Sequence, residues 1–246
     1  MERKQSKQLE ILYEDEFLVA INKPHGLLVH KSNIAKDAQE FALQIARNQI
    51  GQRLYPVHRL DRKTSGILLF AKDKSTNSLM QQAFSKRLVQ KQYLAIVRGY
   101  TNNKESIDYP LKNFKGMMQP SLTNFTTLNR TEISKSSGTF ATSRYSLIKI
   151  HPITGRMHQI RKHMAHIMHP IIGDRPHGCN KQNRFFKETF NMTTMLLHAS
   201  NLSFEHPRDK SVTQISARIH SEFQRMLFEL GFDSSSLGSD SENTQT

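Results

Sequence analysis

The stretch HRLDRKTSGILLFAK, His58 to Lys72, holds one carboxylate, Asp61, among His58, Arg59, Arg62 and Lys63. Nearby positive charge favours the ionised form of a carboxylate. That suits a nucleophile or a general base better than a general acid. A solvated loop of ion pairs would carry the same residues at little energetic consequence. Placement separates the two readings. Thr64, Ser65 and Gly66 can make a tight turn, and the apolar run Ile67–Ala71 behind it reads as a buried strand, which would hold Asp61 at a sheet edge.

A second candidate is ITGRMHQIRKH, Ile153 to His163. Thr154-Gly155 turns the chain into a helix expected over Arg156–His169, ended by Pro170. Met157, Ile160, Met164 and Ile167 would form its apolar stripe. Arg161 flanks that stripe, and a guanidinium there can hold a carboxylate through two bonds. His163, His166 and His169 recur every third residue, but the helix carries no acid and no HExxH pattern. The expectation is therefore phosphate-contacting or surface histidines and no metal site. Tyr93 alternates with Leu94 in a strand, where core packing is its default role. His30, after NKPHGLLV, reads as a turn residue or an RNA contact.

The elements that must position these residues follow from periodicity and punctuation. Leu9–Tyr13 and Phe17–Ile21 read as a hairpin whose second strand delivers Lys23 and His30 to a loop. Asp37–Ile50 reads as a helix stopped by Gly51, Ser75–Arg87 as a helix opened by Asp73 or Ser75, and Lys91–Tyr100 as a strand. Residues 101–141, rich in Asn, Ser, Thr and Lys, read as a solvent-exposed excursion with short strands at Leu122–Leu128 and Ala141–Ile150. Leu196–His198 and Leu202–Phe204 read as short strands and Ala217–Leu230 as an amphipathic closing helix. Residues 1–8 and 233–246 have little to bury and read as disordered, leaving 9–232 as one α+β domain.

Lys and Arg total 35 against 21 acids, a net charge of +14 over 246 residues, which favours a polyanionic partner. The single cysteine, Cys179, excludes an intrachain disulfide and a thiolate metal cage. The N-terminus lacks an apolar h-region and no segment has the run of about 18 apolar residues that spans a bilayer. These features imply a cytoplasmic protein with no membrane partner, and the absence of a long apolar seam implies a monomer.

HRLDRKTSGILLFAK closely resembles the HRLDxxTSGLLL signature of the RluA-type pseudouridine synthases. The family's other landmarks follow in order: INKPHGLLVH, KQYLAIVRG, TGRMHQIRKH, HPIIGD and LLHASNLSFEHP, covering roughly Leu9 to Leu230. YPL, QPSLTNFTTL, GDRPHG and QNRFF are similar to the segments of a subgroup that modifies tRNA at uridine 65 in the T arm. Only about ten residues precede the LEILYEDEFLVAINKP element, too few for the S4 RNA-binding domain of several ribosomal-RNA members. The family commonly has Thr where Met157 stands.

The resemblance implies the pseudouridine synthase catalytic fold, a central mixed or antiparallel sheet flanked by helices, acting on tRNA without metal or organic cofactor. It implies that Asp61 is the catalytic carboxylate, either a nucleophile at C1′ of the ribose or a base at C2′. It pairs Arg161 with Asp61, stacks Tyr93 on the flipped uracil and places Ile160 beneath it. Arg59 would hold the disrupted RNA, Lys23 and His30 would position phosphates, and His58 and Arg62 would contact substrate. The alternatives are a ribosomal-RNA or dual-specificity synthase and, in another class, a non-catalytic RNA-binding protein. A metal-dependent nuclease is disfavoured by the missing pair of acidic ligands.

Overall fold

Continuous apolar runs, LVAI at 18–21 and ILLFA at 67–71, bury both faces of the strands that carry the candidate motifs. The computed structural model describes residues 8–30 and 40–233. Along the chain these form β1 (Glu10–Glu14), β2 (Leu18–Lys23), α1 (Ala42–Ile50), β3 (Tyr55–Pro56), β4 (Ser65–Ala71), α2 (Lys74–Ser85) and β5 (Gln90–Arg98). Then come β6 (Lys104–Asp108), β7 (Leu111–Lys112), β8 (Met118–Gln119), β9 (Leu122–Ile133), β10 (Ser143–Pro152), α3 (Gln159–His166) and α4 (Asn180–Phe190). The last are β11 (Leu197–Glu205), β12 (Val212–Ser216) and α5 (Ser221–Glu229). The class is α+β, as expected. No helix among the described residues is long and apolar enough to cross a membrane.

The chain divides into two compact units, residues 1–91 with 199–218, and residues 92–198 with 219–246. In the first unit β1 pairs antiparallel with β2, β2 with β4, and β12 with β11. Leu18, Ala20, Ile67, Leu69 and Ala71 point one way, against Met80 of α2 and against Leu202 and Phe204 of β11. Asp73 caps α2 by accepting from the Thr76 amide at 2.8 Å. Gly66 has φ +105°, and a Cβ there would lie 2.2 Å from the Ala199 carbonyl oxygen. Only glycine fits so close a backbone approach.

In the second unit β5, β10, β9 and β6 form an antiparallel run. Leu94 and Ile96 face a cluster with Phe186, Phe190, Phe223 and Met226 from α4 and α5. Ala95 and Val97, one residue out of phase, face Ile160 and Met164 of α3 together with Ile148 and Ile150. Opposite faces of β5 thus serve different helices, which is the two-residue strand period made visible.

Several expectations are corrected. Residues 101–141 are not an excursion: β9 and β10 pair over ten registered positions, and Ile107, Phe125 and Thr123 are buried. Thr and Asn are poor hydrophobicity signals but tolerable strand residues when a partner strand supplies the hydrogen bonds. The two strands expected near Leu197 are one, β11, and α4 lies in a stretch where no periodic signal was read. The helix expected from Asp37 starts at Ala42, with its first three expected residues outside the described ones. The expected disordered ends likewise fall almost wholly outside them.

Candidate active site

In the first unit, Asp61 sits in the loop between β3 and β4, half-buried, with its carbonyl accepting from the Thr64 amide at 3.1 Å. Leu60, Thr64 and Ser65 on either side are buried, so the loop is seated on the core. Gly66, the second residue of β4, lies directly opposite Lys23 of β2. That register brings the Lys23 ammonium to the carbonyls of Pro24 and Leu27, both at 2.9 Å, and of Arg62 at 3.2 Å.

Lys23 was expected to hold phosphates, and the structure corrects this. The side chain is fully buried and its donors are spent on three backbone carbonyls. Burial pulls its pKa down to about 7, and the Asp61 carboxylate partly opposes that fall. Lys23 is thus a buried cation that ties the Asp61 loop to the NKP segment and feels the Asp61 charge. Arg62 reinforces the tie, donating from Nε to the Gly26 carbonyl at 3.1 Å while its own carbonyl accepts from the Gly26 amide at 2.9 Å.

His58 also has a structural task. Its Nε2 accepts from the Leu69 amide at 3.0 Å and its ring stacks on Phe84, centroids 4.8 Å apart. Burial, with the charge of Lys91 adding to it, lowers its pKa to about 4. The ring is therefore neutral at pH 7, with its proton on Nδ1. Arg59 and His30 are exposed, placed to meet a ligand.

In the second unit α3 is shorter than expected, because His158 takes a left-handed φ of +55° and the helix opens only at Gln159. Gln159 knits this turn: its Oε1 accepts from the Thr154 hydroxyl at 2.7 Å and the Arg156 amide at 3.0 Å. Its Nε2 donates to the Leu122 carbonyl and the Thr123 hydroxyl, both at 2.9 Å. Met157 consequently leaves the expected apolar stripe and is exposed, while Ile160 and Met164 stay buried. His163 is buried rather than at the surface, bonded to Thr123 Oγ1 and to the Tyr109 carbonyl.

Arg161 is nearly inaccessible, and Asp174 takes one edge of its fork: Nε reaches Oδ2 and Nη2 reaches Oδ1, each at 2.8 Å. Asp174 ends the HPIIGD landmark and was not among the expected site residues. A signal existed, because Asp174 is the only acidic residue between Glu132 and Glu188. Gly173 sets it in place; a Cβ there would meet the Thr194 carbonyl oxygen at 2.1 Å. His177 follows on the same loop, its Nε2 2.9 Å from Nδ1 of His158. Tyr93 is half-buried beside Ile150 on β5 and packs against the cluster that contains Ile160. The structure therefore gathers Tyr93, Ile160 and Arg161 around α3, and Asp61, Lys23, His58 and Arg62 around the start of β4. Among the described residues no three His, Cys, Asp or Glu side chains are grouped to hold a metal ion.

Residues 17–166 match the family model described as RNA pseudouridylate synthase. The chain belongs to that family. The pseudouridylate synthase match takes in Lys23, Asp61, Tyr93 and Arg161. A relative from Vibrio cholerae, named tRNA pseudouridine synthase C, is 42% identical over 93% of this chain and 98% of its own length. One of the same name from Haemophilus influenzae is 42% identical over 92% and 99%. Human RNA Pseudouridylate Synthase Domain Containing 4 superposes with a TM-score of 0.71 at 23% identity, covering 91% of this chain and 94% of that one. That likeness establishes the synthase fold.

Proposed function

We propose that the protein isomerises uridine to pseudouridine in tRNA, at uridine 65 of the T arm, acting as a cytoplasmic monomer. The observation that carries this reading is the near full-length similarity to relatives named tRNA pseudouridine synthase C. The seating of Asp61 supports it: a single carboxylate on a loop fixed by Lys23, Arg62 and the glycine-dependent start of β4.

The reaction breaks the bond from ribose C1′ to N1 of uracil, turns the base and joins C1′ to C5. N1 takes up a proton and C5 gives one up, so the net change is an isomerisation with no oxidant or reductant. Asp61 supplies the carboxylate, at C1′ as nucleophile or at C2′ as base. Arg161, presented rigidly by Asp174, is its cationic partner. Tyr93 offers an aromatic face for the extruded uracil and a phenol near C5, with Ile160 as the apolar wall. Arg59, exposed beside the catalytic loop, holds the strand the base has left.

The test is incubation with unmodified tRNA transcripts in EDTA, followed by carbodiimide-dependent primer extension. One new stop in the T-arm strand at position 65 is expected. A stop on ribosomal RNA alone would replace the tRNA assignment, and silence on both would favour a binding protein.

A further inference from the structure

β7 and β8 form a two-stranded sheet of their own, closed by a turn that is well bonded. Asn113 Oδ1 accepts from the amides of Lys115 at 2.8 Å and Met117 at 3.0 Å, and its carbonyl accepts from the Gly116 amide at 3.0 Å. This ordered tip nonetheless presents Phe114 at 83% exposure, with Met117 and Met118 also exposed. Burying a phenylalanine stabilises a fold, so a fixed turn that displays one forgoes that gain.

The hairpin stands on α3 and the turn ahead of it. From α3, Lys162 Nζ donates to the Lys112 carbonyl at 3.5 Å and His166 stacks on Tyr109 with ring centroids 3.7 Å apart; from the turn, Arg156 Nε donates to the Pro120 carbonyl at 3.3 Å. Lys112 and Lys115 are exposed on the hairpin itself, and the chain has no acidic residue between Asp108 and Glu132. An exposed aromatic ring on a rigid turn, with cations beside and beneath it, has the chemistry of a base-stacking platform.

We propose that the hairpin Leu111–Gln119 is an RNA-gripping arm, in which Phe114 stacks on an unpaired base of the substrate and Lys112 and Lys115 neutralise the phosphates beside it. This rests on the tRNA isomerase reading, and it locates part of substrate recognition on the element carried by the helix of Arg161. Base–aromatic stacking resists salt, whereas phosphate contacts release counterions, so the two contributions separate experimentally.

The experiment measures tRNA affinity over a range of salt for the whole chain and for Phe114→Ala, Phe114→Trp and Lys112→Ala/Lys115→Ala, with pseudouridine formation followed in parallel. Phe114→Ala should bind at least about fivefold more weakly, as a stacked base requires, with its salt slope unchanged. Phe114→Trp should restore binding, because another flat ring suffices. The lysine pair should flatten the log–log salt slope by roughly 1.4, two phosphates of a single strand. Unchanged affinity and slope in the variants would overturn the arm, whatever the wild type catalyses. So would a Phe114→Ala effect traced by sedimentation to loss of a dimer. If the wild type modifies no tRNA uridine but the variants still lose tRNA affinity, the isomerase reading fails and the arm stands.

Discussion

Arg161 and Asp174, thirteen residues apart, form a bidentate ion pair with both side chains almost wholly buried. Breaking a buried bidentate pair by removing one member is strongly destabilising, a loss of about 3–5 kcal/mol. Asp174→Ala should therefore lower the unfolding free energy by that order in a denaturant titration. Asp174→Asn, which keeps the shape but can accept only through one oxygen, should lose less stability. Its turnover should still fall more than tenfold, because the guanidinium is no longer held. Wild-type turnover in Asp174→Asn would remove Arg161 orientation from the account.

Asp61 is expected to behave in the opposite way. Asp61→Asn should abolish isomerisation while tRNA affinity changes by less than about threefold, roughly 0.7 kcal/mol. Single-turnover assays beside a filter-binding titration make the comparison. Substantial residual turnover would sink the catalytic role.

Stability should respond to pH with signs set by two buried groups. His58 ionises near pH 4 in the native state against 6.5 in the unfolded chain. Between those values the unfolded state binds a proton that the native state refuses, so stability is lost as pH falls from 6.5 to 4, at up to about 1.4 kcal/mol per unit. The lowered pKa values of His163, His177 and His220, each caused first by burial, act in the same direction. Chemical denaturation at successive pH values should show this slope shrink in His58→Gln.

Lys23 predicts a second slope at alkaline pH. Its native pKa of about 7 lies below the unfolded 10.5, so the unfolded chain holds the extra proton across that interval and stability rises with pH. Above pH 10 the phenols of Tyr13 and Tyr145, both pushed up to about 12 chiefly by burial, reverse the trend. Lys23→Met should shrink the alkaline rise, and Lys91, whose pKa burial also lowers, supplies the part that remains. A slope unchanged by the substitution would mean that Lys23 stays protonated throughout.

Gly66→Ala should be more damaging than an ordinary glycine substitution in a strand. Its Cβ would lie 2.2 Å from the Ala199 carbonyl oxygen, and backbone cannot swing aside as a side chain can. A melting temperature lowered by several degrees, with turnover lost as β4 and the Asp61 loop shift, is the expected outcome. Differential scanning calorimetry and the pseudouridine assay test it together.

The residues that the chain places close in sequence were legible without a structure. Thr64-Ser65-Gly66 ahead of five apolar residues specifies a turn and a buried strand, and so a fixed position for Asp61. Asp73 announces α2, and Gly51, with φ +78°, ends α1. Each of these depends on local hydrogen bonds or backbone freedom, which composition records. The motif order likewise identified the family before any coordinates.

What needed the tertiary structure is what depends on distant partners. Lys23 reads as a surface cation until β2 is registered against β4, which encloses its ammonium in carbonyls. His163 reads as a phosphate-contacting or surface residue until β9 closes over it, and Arg161, legible as a carboxylate holder, meets Asp174 only once the loop after α3 folds back. The strand legible at Leu122–Leu128 runs on through its polar second half to Ile133 because β10 supplies the hydrogen bonds. Sequence determined which chemistry the chain carries, because reactive groups and turns are local. The fold decided which charges are spent inside and which still face a substrate, because burial and pairing belong to segments far apart in the chain.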